Sequence, residues 1–282
     1  MTPPVTTPAR AGCLALALAE QVAALLPARA GTPWTAEPGT AWWTTKPTAR
    51  LTQNDRALIL VWHPWHTEIA WQLPGREPLR PDLRTNRLAA ARVAREVLRL
   101  VLPVLDDEAA HARQDDAAGA RLELLAEIGA AVRAQGAATY ERGGLLRNTS
   151  TVTWASSGLR YSATLHGANP AVGVQIEGPV RAVERATAHF LPEPPALTPY
   201  QPVRGAVRGR LQRRMAAFLR QYVDVEQTEQ GGLAFGTWPG VYGYAAPALD
   251  PAARVRDTSP ASVDIHGVGV DFLISLAPQL CR

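Results

Sequence analysis

The stretch LILVWHPWHTEIAWQL, residues 58–73, constrains the fold more than any other part of the chain. Apolar residues run or alternate on both sides of Pro64, which is typical of two paired β-strands. A two-residue hairpin turn would require a positive φ at Pro64, which the proline ring forbids. The sequence therefore predicts a four-residue loop, 63–66, built on a type I turn. In that register the facing pairs are Trp62 and Thr67, Leu60 and Ile69, and Leu58 and Trp71.

The tip of this hairpin is also a candidate metal site. His63 and His66 lie at the corners of the predicted loop, and Glu68 follows one strand step beyond. Two imidazoles and a carboxylate could supply three ligands of a zinc ion and leave one position open. A metal-dependent enzyme at these residues is our third functional hypothesis. We favour a structural role, because the hairpins expected near Ser157 and Gly231 repeat the apolar alternation without the histidines.

One order of elements comes up more than once along the chain. Predicted helices lie at 11–27, 83–101, 117–135, 180–191 and 206–222. Extended segments separate them, including 149–156 and 159–166, and the last extended segment is 262–272. Both 83–101 and 180–191 run into a Leu-Pro pair, where a helix is expected to end. The pattern predicts an α+β fold of two or three α-β-β-β-α units, each with helices packed on one face of a three- to four-stranded antiparallel sheet.

These units give the expected domain organisation. The predicted boundaries are 1–105 for the first unit, 106–192 for the second, 193–205 for a proline-rich linker and 206–282 for the third. The element order of the third unit resembles the chaperone domains related to type III secretion chaperones, which are α+β units with a curved antiparallel sheet. No sequence motif accompanies this resemblance. The resemblance implies that this protein is a protein-binding chaperone or adaptor.

Composition excludes several classes of protein. The chain has 282 residues, of which 46% are hydrophobic and 19% charged, so a folded protein is expected. The formal net charge is only +4, and residues 106–202 form an acidic block between two basic ones. Cys13 and Cys281 are the only cysteines, which excludes a zinc ribbon and a disulfide-rich secreted fold. Reduced thiols in a cytoplasmic protein are the simplest interpretation.

The N-terminal run GCLALALA has two interpretations. It is short and apolar, like the core of a signal peptide. We favour an amphipathic helix that covers a sheet, because Leu14, Leu18, Val22 and Leu25 recur at helical spacing. No apolar run approaches the roughly 20 residues that a bilayer crossing needs, so we expect no membrane association.

Motifs of the common enzyme classes are missing from the sequence. There is no nucleophile elbow, no phosphate-binding loop and no complete dinucleotide fingerprint. Asp264 and His266 share one face of a predicted strand and could act as a base and the group that orients it. No nucleophile has suitable spacing, so a strand histidine with a structural role is the favoured interpretation. We therefore expect no cofactor and a non-enzymatic function.

The segment 106–119 concentrates acidic residues: Asp106, Asp107, Glu108, Asp115 and Asp116, with His111 among them. Carboxylates at a helix N-terminus complement the helix dipole, so a structural role is the first interpretation. Metal binding is the second. The third is an internal surface that neutralises arginines elsewhere in the chain.

Arginines form a stripe on each of two predicted helices. At about 100° per residue, the first helix, 83–101, turns one face of valines, leucines and alanine inward and an arginine face outward. That outward face consists of Arg84, Arg87, Arg92, Arg95 and Arg99. The second helix, 206–222, repeats the arrangement with Arg208, Arg210, Arg213, Arg214 and Arg220. Like charges three and four residues apart repel one another, so an external neutralising group is expected.

Phosphate is the most general neutralising group, because guanidinium binds it bidentately and releases counterions. Our first hypothesis is therefore a nucleic-acid-binding protein that contacts phosphates, of DNA in preference to RNA, through both stripes. An acidic protein could neutralise the stripes in the same way. The second hypothesis is the chaperone or adaptor, and a homo-oligomer is a further candidate assembly.

Overall fold

The computed structural model describes residues 8–73, 77–78, 81, 83–85, 89–112, 117–143, 149–167, 169–194, 201–246 and 254–282, with the backbone alone for 8–10, 110–112 and 117–118. The chain divides into two compact units, Met1–Ala112 (unit 1) and Arg113–Arg282 (unit 2). Helices and antiparallel sheets occur in both, which confirms the α+β class. Among the described helices, none combines the length and the apolar character that a membrane crossing needs.

Unit 1 is a helix followed by a five-stranded antiparallel meander, in which each strand pairs with the next. The elements are α1 (Pro8–Leu25), β1 (Thr35–Ala41), β2 (Thr44–Gln53), β3 (Arg56–Trp62), β4 (Thr67–Gln72) and β5 (Leu83–Thr85). Central strand β3 is buried along both faces from Arg56 to Val61. Such a continuous apolar strand needs cover on both sides, and α1 packs on β1, β2 and β3.

The β3–β4 hairpin confirms the predicted register. Trp62 faces Thr67, Leu60 faces Ile69 and Leu58 faces Trp71. The His63 N–H donates to the His66 carbonyl at 3.0 Å and closes the four-residue loop. Pro64 thus set the pairing of both strands by excluding the shorter turn.

The packed face of α1 differs from the predicted stripe. Leu18 and Val22 are buried as expected, but Leu14 and Leu25 are 41% and 49% exposed. The buried face consists of Ala11, Ala15, Leu18, Ala19, Val22, Ala23 and Leu26. Alanines dominate this face, so the leucine spacing alone predicted a face rotated from the real one.

The predicted helix 83–101 is wrong in both position and regularity. Residues 83–85 form β5, and the helical segment is α2 (Ala90–Glu96), a π-helical turn (Val97–Val101) and α3 (Leu102–Ala112). Pro103 therefore does not end the helix. A π-helical turn, with its i→i+5 hydrogen bonds, precedes this proline, whose ring and missing N–H disrupt normal α-helical bonding.

Unit 2 is built on a nine-stranded sheet in the order β10-β11-β12-β13-β14-β9-β8-β7-β6, antiparallel except for β10 and β11. The strands are β6 (Thr139–Arg142), β7 (Thr149–Ser156), β8 (Leu159–His166), β9 (Asn169–Pro179), β10 (Val203–Arg204), β11 (Val225–Gln227), β12 (Leu233–Phe235), β13 (Tyr242–Ala245) and β14 (Pro260–Val268). Strands β7 and β8 have the bounds that the sequence predicts. Strand β14 pairs with β9, so the segments expected in the second and third domains share this sheet.

Helices cover one face of the unit 2 sheet. They are α4 (Ala117–Arg133), α5 (Val180–Ala188), α6 (Arg210–Leu219) and α7 (Val270–Leu280). Helix α4 packs on β6, β7 and β8, while α5 and α7 pack on β9. Burial alternates along β7 and β8, which leaves their other face partly exposed. The predicted strand 262–272 is too long, because α7 begins at Val270 after Gly269.

Candidate functional site

Helix α6 shows the predicted separation of apolar and basic faces. Leu211, Met215 and Leu219 are buried, whereas Arg210 and Arg213 are exposed. The helix begins after Gly209, whose φ of 86° favours glycine. A Cβ at that position would also overlap the Gln212 side chain. The local sequence therefore determines both where α6 starts and which side it buries.

Arg208 lies close to these two arginines in sequence, and two hydrogen bonds to Gln227 hold its backbone. Its N–H donates to Gln227 Oε1 at 2.8 Å, and its carbonyl accepts from Gln227 Nε2 at 3.2 Å. The Arg208 side chain is exposed. We call Arg208, Arg210 and Arg213 the α6 arginine face. Within the described parts of the chain, none of the three forms an ion pair.

Arg214, predicted in the same stripe, is neutralised inside unit 2. Its Nε and Nη2 donate to the two Glu184 oxygens at 2.8 and 2.9 Å, and its Nη1 donates to Asp257 at 2.7 Å. These bonds raise the pKa of Arg214. They also hold the pKa of the Asp257 carboxyl below its ordinary value. Arg214 therefore belongs to an internal ion-pair network, and its prediction as an outward residue is corrected.

Arg220, the last member of that stripe, lies at the C-terminal end of α6 and is partly buried. Its carbonyl accepts a hydrogen bond from the Gln201 N–H at 2.6 Å, and the residue takes part in further interactions within the protein. It is therefore not counted in the α6 arginine face.

The first arginine stripe does not exist as a continuous helix face. Arg84 lies on β5, Arg92 is exposed on α2, and Arg95 is partly buried with an interaction inside the protein. Arg99 is only 6% exposed, which corrects its predicted outward position. It falls in the π-helical turn, where each residue rotates less about the axis than an α-helical projection assumes. Arg87 lies outside the described residues.

The tip of the β3–β4 hairpin brings His63, His66 and Glu68 together. One potential ligand atom from each lies within 4.8 Å of the others. His63 Nε2 is 3.5 Å from Glu68 Oε2, and His66 Nε2 is 3.5 Å from Glu68 Oε1. The imidazoles stack with centroids 4.1 Å apart and planes inclined by 14°. The candidate cluster predicted from the sequence is therefore present as a spatial cluster.

Charged neighbours set the protonation of this cluster. Burial, reinforced by His66, lowers the pKa of His63. Burial opposes ionisation of Glu68, but the hydrogen bond from Arg84 and the interactions with His63 and His66 together outweigh it and hold the pKa of that carboxyl below its ordinary value. Arg84 Nη2 lies 2.7 Å from Glu68 Oε1. Near neutral pH the site therefore combines a neutral His63 with an ionised Glu68.

The sequence missed the role of Arg84 in this cluster. Arg84 faces Glu68 across the β4–β5 pair, although the sequence predicts a helix at that position. Strand β5 has three residues, which is too short for an alternating pattern to indicate a strand. No local signal could therefore have assigned Arg84 to Glu68.

Asp264 and His266 share one face of β14, but aromatic rings surround the histidine. Tyr242 and Tyr244 lie 5.5 and 6.3 Å from the His266 ring, measured between centroids. Burial raises the pKa of the Asp264 carboxyl. Asp264 and Tyr244 line a cavity of about 370 Å³ with Thr228, Gln230 and Ser262. The cavity therefore places an aromatic ring beside hydroxyl, amide and carboxyl groups.

The acidic segment is partly an internal counter-surface, as one interpretation proposed. Asp106 lies 3.3 Å from Arg56 and 3.8 Å from Arg29, all within unit 1. Neither arginine belongs to a predicted stripe. Asp115 and Asp116 lie outside the described residues, and the side chain of His111 is not described.

No protein-family model, curated protein or solved structure matches this chain.

Proposed function

We propose that this protein binds nucleic acid, DNA in preference to RNA, by contacting phosphates through the α6 arginine face. The observation that carries the proposal is the exposure of Arg208, Arg210 and Arg213 at and just before the start of α6, without an ion pair among the described residues. Arg214, one residue further on, differs because Glu184 and Asp257 neutralise it. The proposal is thus narrower than the ten arginines that the sequence suggests.

Two physical arguments support phosphate as the ligand. Guanidinium groups form bidentate hydrogen bonds with phosphate oxygens, and neutralising phosphates releases counterions. Helix α6 begins at Arg210, and Gly209 before it has no side chain to cap the first turn. The positive end of the helix dipole lies there, beside Arg208 and Arg210, and it favours an anion. Phosphate contacts of this kind position a duplex but carry no sequence information.

The test measures duplex affinity against salt concentration, by fluorescence anisotropy, for the wild type and for the triple variant Arg208→Glu, Arg210→Glu, Arg213→Glu. Three lost phosphate contacts should reduce the slope of log affinity against log salt by about 3, since each contributes about 0.9. The matched control is Arg142→Glu, Arg160→Glu, Arg185→Glu, which changes the charge of unit 2 equally at exposed positions. An equal loss in the control would show that net charge, and not α6, binds DNA.

A second candidate function, holding another protein, rests on a different observation. Trp238, Tyr242 and Tyr244 are exposed near one another on unit 2, and large exposed aromatic groups are typical of protein-binding surfaces. We expect the wild type to suppress aggregation of a heat-unfolded reporter protein, and Trp238→Ser with Tyr244→Ser to lose that effect. The α6 triple variant should keep it. Suppression that disappears with the α6 variant instead would contradict this second function.

A further inference from the structure

The strongest unexplained feature outside α6 is the pair of histidine nitrogens at the β3–β4 tip. The Nε2 atoms of His63 and His66 are both buried and form no hydrogen bond among the described residues. Buried polar atoms in folded proteins nearly always have a partner. Each Nε2 lies 3.5 Å from a Glu68 oxygen, which is too long for a good hydrogen bond. Two such nitrogen atoms beside one carboxylate are a donor set typical of a metal site.

We propose that His63, His66 and Glu68 bind one first-row divalent transition-metal ion, of which Zn²⁺ is the representative. Imidazole nitrogen and carboxylate oxygen are ligands that this class of ion prefers. The site belongs to unit 1 and goes beyond the nucleic-acid binding proposed for unit 2.

The separations fit this class of ion. Zinc lies about 2.0–2.2 Å from nitrogen and oxygen ligands. In a tetrahedral site, two ligands at about 2.1 Å lie about 3.4 Å apart. The 3.5 Å between His63 Nε2 and Glu68 Oε2 matches this edge, whereas His66 Nε2 lies 3.5 Å from the other oxygen, Oε1. One ligand atom from each residue lies within 4.8 Å of the others. Because the two imidazole rings are stacked, at least one ring would have to rotate to direct its lone pair at the shared ion.

The contact between Arg84 and Glu68 also fits a metal site. Arg84 contacts Oε1, which leaves Oε2 to face the ion. A partner on the second oxygen orients a ligand carboxylate, as outer groups commonly do at metal sites.

Three protein ligands would leave part of the coordination sphere for water or a small anion. The side chains of His63, His66 and Glu68 are only 17%, 19% and 14% exposed, so a further ligand would have to be small.

The test uses the full chain after removal of metals with a chelator. Competition with a chromophoric chelator near pH 7.5 should give one Zn²⁺ per chain. His63→Ala and His66→Ala should each weaken binding by more than the 10- to 100-fold typical of an outer-shell loss, about 100-fold or more. Co²⁺ should give the visible absorption of a tetrahedral site in the wild type and in the control variant, but not in His63→Ala or His66→Ala. The matched control is His166→Ala, which removes an exposed histidine from the end of β8 in unit 2.

A further variant tests the carboxylate. Glu68→Gln keeps an oxygen for Arg84 but removes the negative charge, so Zn²⁺ binding should weaken while circular dichroism shows an unchanged fold. Zn²⁺ should also raise the melting temperature of the wild type and of His166→Ala, because it binds the folded chain. Absence of stoichiometric binding would overturn the proposal, as would equal affinity in His63→Ala, His66→Ala and His166→Ala. Unchanged affinity in Glu68→Gln would overturn the three-ligand site.

Discussion

The two arginine-bearing helical regions look alike in sequence and differ in structure. In α6 the α-helical period continues without interruption, and Arg210 and Arg213 face solvent as the projection predicts. In the segment 90–112 a π-helical turn interrupts the period, and Arg99 is buried. The comparison teaches that a helical projection predicts which residues are exposed only while the hydrogen-bonding pattern stays regular. It also explains why the proposed phosphate surface is confined to one helix.

Charge reversal at Arg99 and at Arg213 should separate the two helices most strongly. Arg99→Glu places a reversed charge in a buried position and should lower the free energy of unfolding of unit 1 by about 3 kcal/mol or more. Arg213→Glu should change stability by about 0.5 kcal/mol or less, because that residue is exposed. Urea unfolding followed by circular dichroism measures both. Equal, small effects would show that Arg99 reaches solvent and would break the comparison.

Arg214 and Arg210 of α6 should differ in what they contribute, the first to stability and the second to duplex binding. Arg214→Ala removes the bidentate pair with Glu184 and should cost about 1–2 kcal/mol of stability, with duplex affinity unchanged. Arg210→Ala should leave stability nearly unchanged and weaken duplex binding. Urea unfolding and fluorescence anisotropy on the same two variants test this. A loss of duplex affinity in Arg214→Ala would mean that the ion-pair network opens to phosphate.

Single exposed arginines on the two helices should differ in their effect on salt dependence. Arg213→Glu should reduce the slope of log affinity against log salt by about 1, as expected for one lost phosphate contact. Arg92→Glu, on α2, should leave the slope unchanged, although Arg92 is also exposed. Anisotropy titrations at four salt concentrations give the slopes. Equal slopes for the two variants would extend the phosphate surface to unit 1.

The pH dependence of stability should also distinguish the two units, and we expect this effect to be the smallest of those predicted. His63 has a pKa below its ordinary value of 6.5, because burial disfavours its charged form. The unfolded chain then binds a proton at higher pH than the folded chain, so the stability of unit 1 should fall as pH drops below about 6.5. In unit 2 the Asp257 pKa lies below 3.8, because Arg214 donates a hydrogen bond to it. Its contribution is present above 3.8 and is lost only as pH falls through the lower, folded value.

Urea midpoints at about pH 7.5 and 5.5, with a chelator present, measure this difference. His63→Asn should flatten the pH dependence of unit 1, whereas Asp257→Asn should leave it unchanged. A wild-type midpoint for unit 1 that rises towards pH 5.5 would contradict the sign derived from the His63 pKa.

Local features of the fold could be predicted because local constraints determine them. The ring of Pro64 excludes a two-residue turn, which determined the β3–β4 register. Alternating apolar residues gave correct bounds for β7 and β8, joined by Ser157 and Gly158 with positive φ. The cluster of His63, His66 and Glu68 followed from the same register, since all three lie within one hairpin.

Features that depend on distant residues could not be predicted. The partners of Arg214 lie 30 and 43 positions away along the chain. The pairing of β14 with β9 joins segments on either side of the proline-rich stretch. Each depends on a long-range contact that leaves no periodic signal in the sequence.

The sequence by itself determined the α+β class, the hairpin at Pro64 and the amphipathic character of α6, because backbone sterics and side-chain periodicity act over a few residues. Only the tertiary structure decided which arginines face solvent, which carboxylates neutralise the others and that Arg84 contacts Glu68. Ion pairing depends on distances of about 4 Å between side chains, and such distances are set only when separate elements pack together.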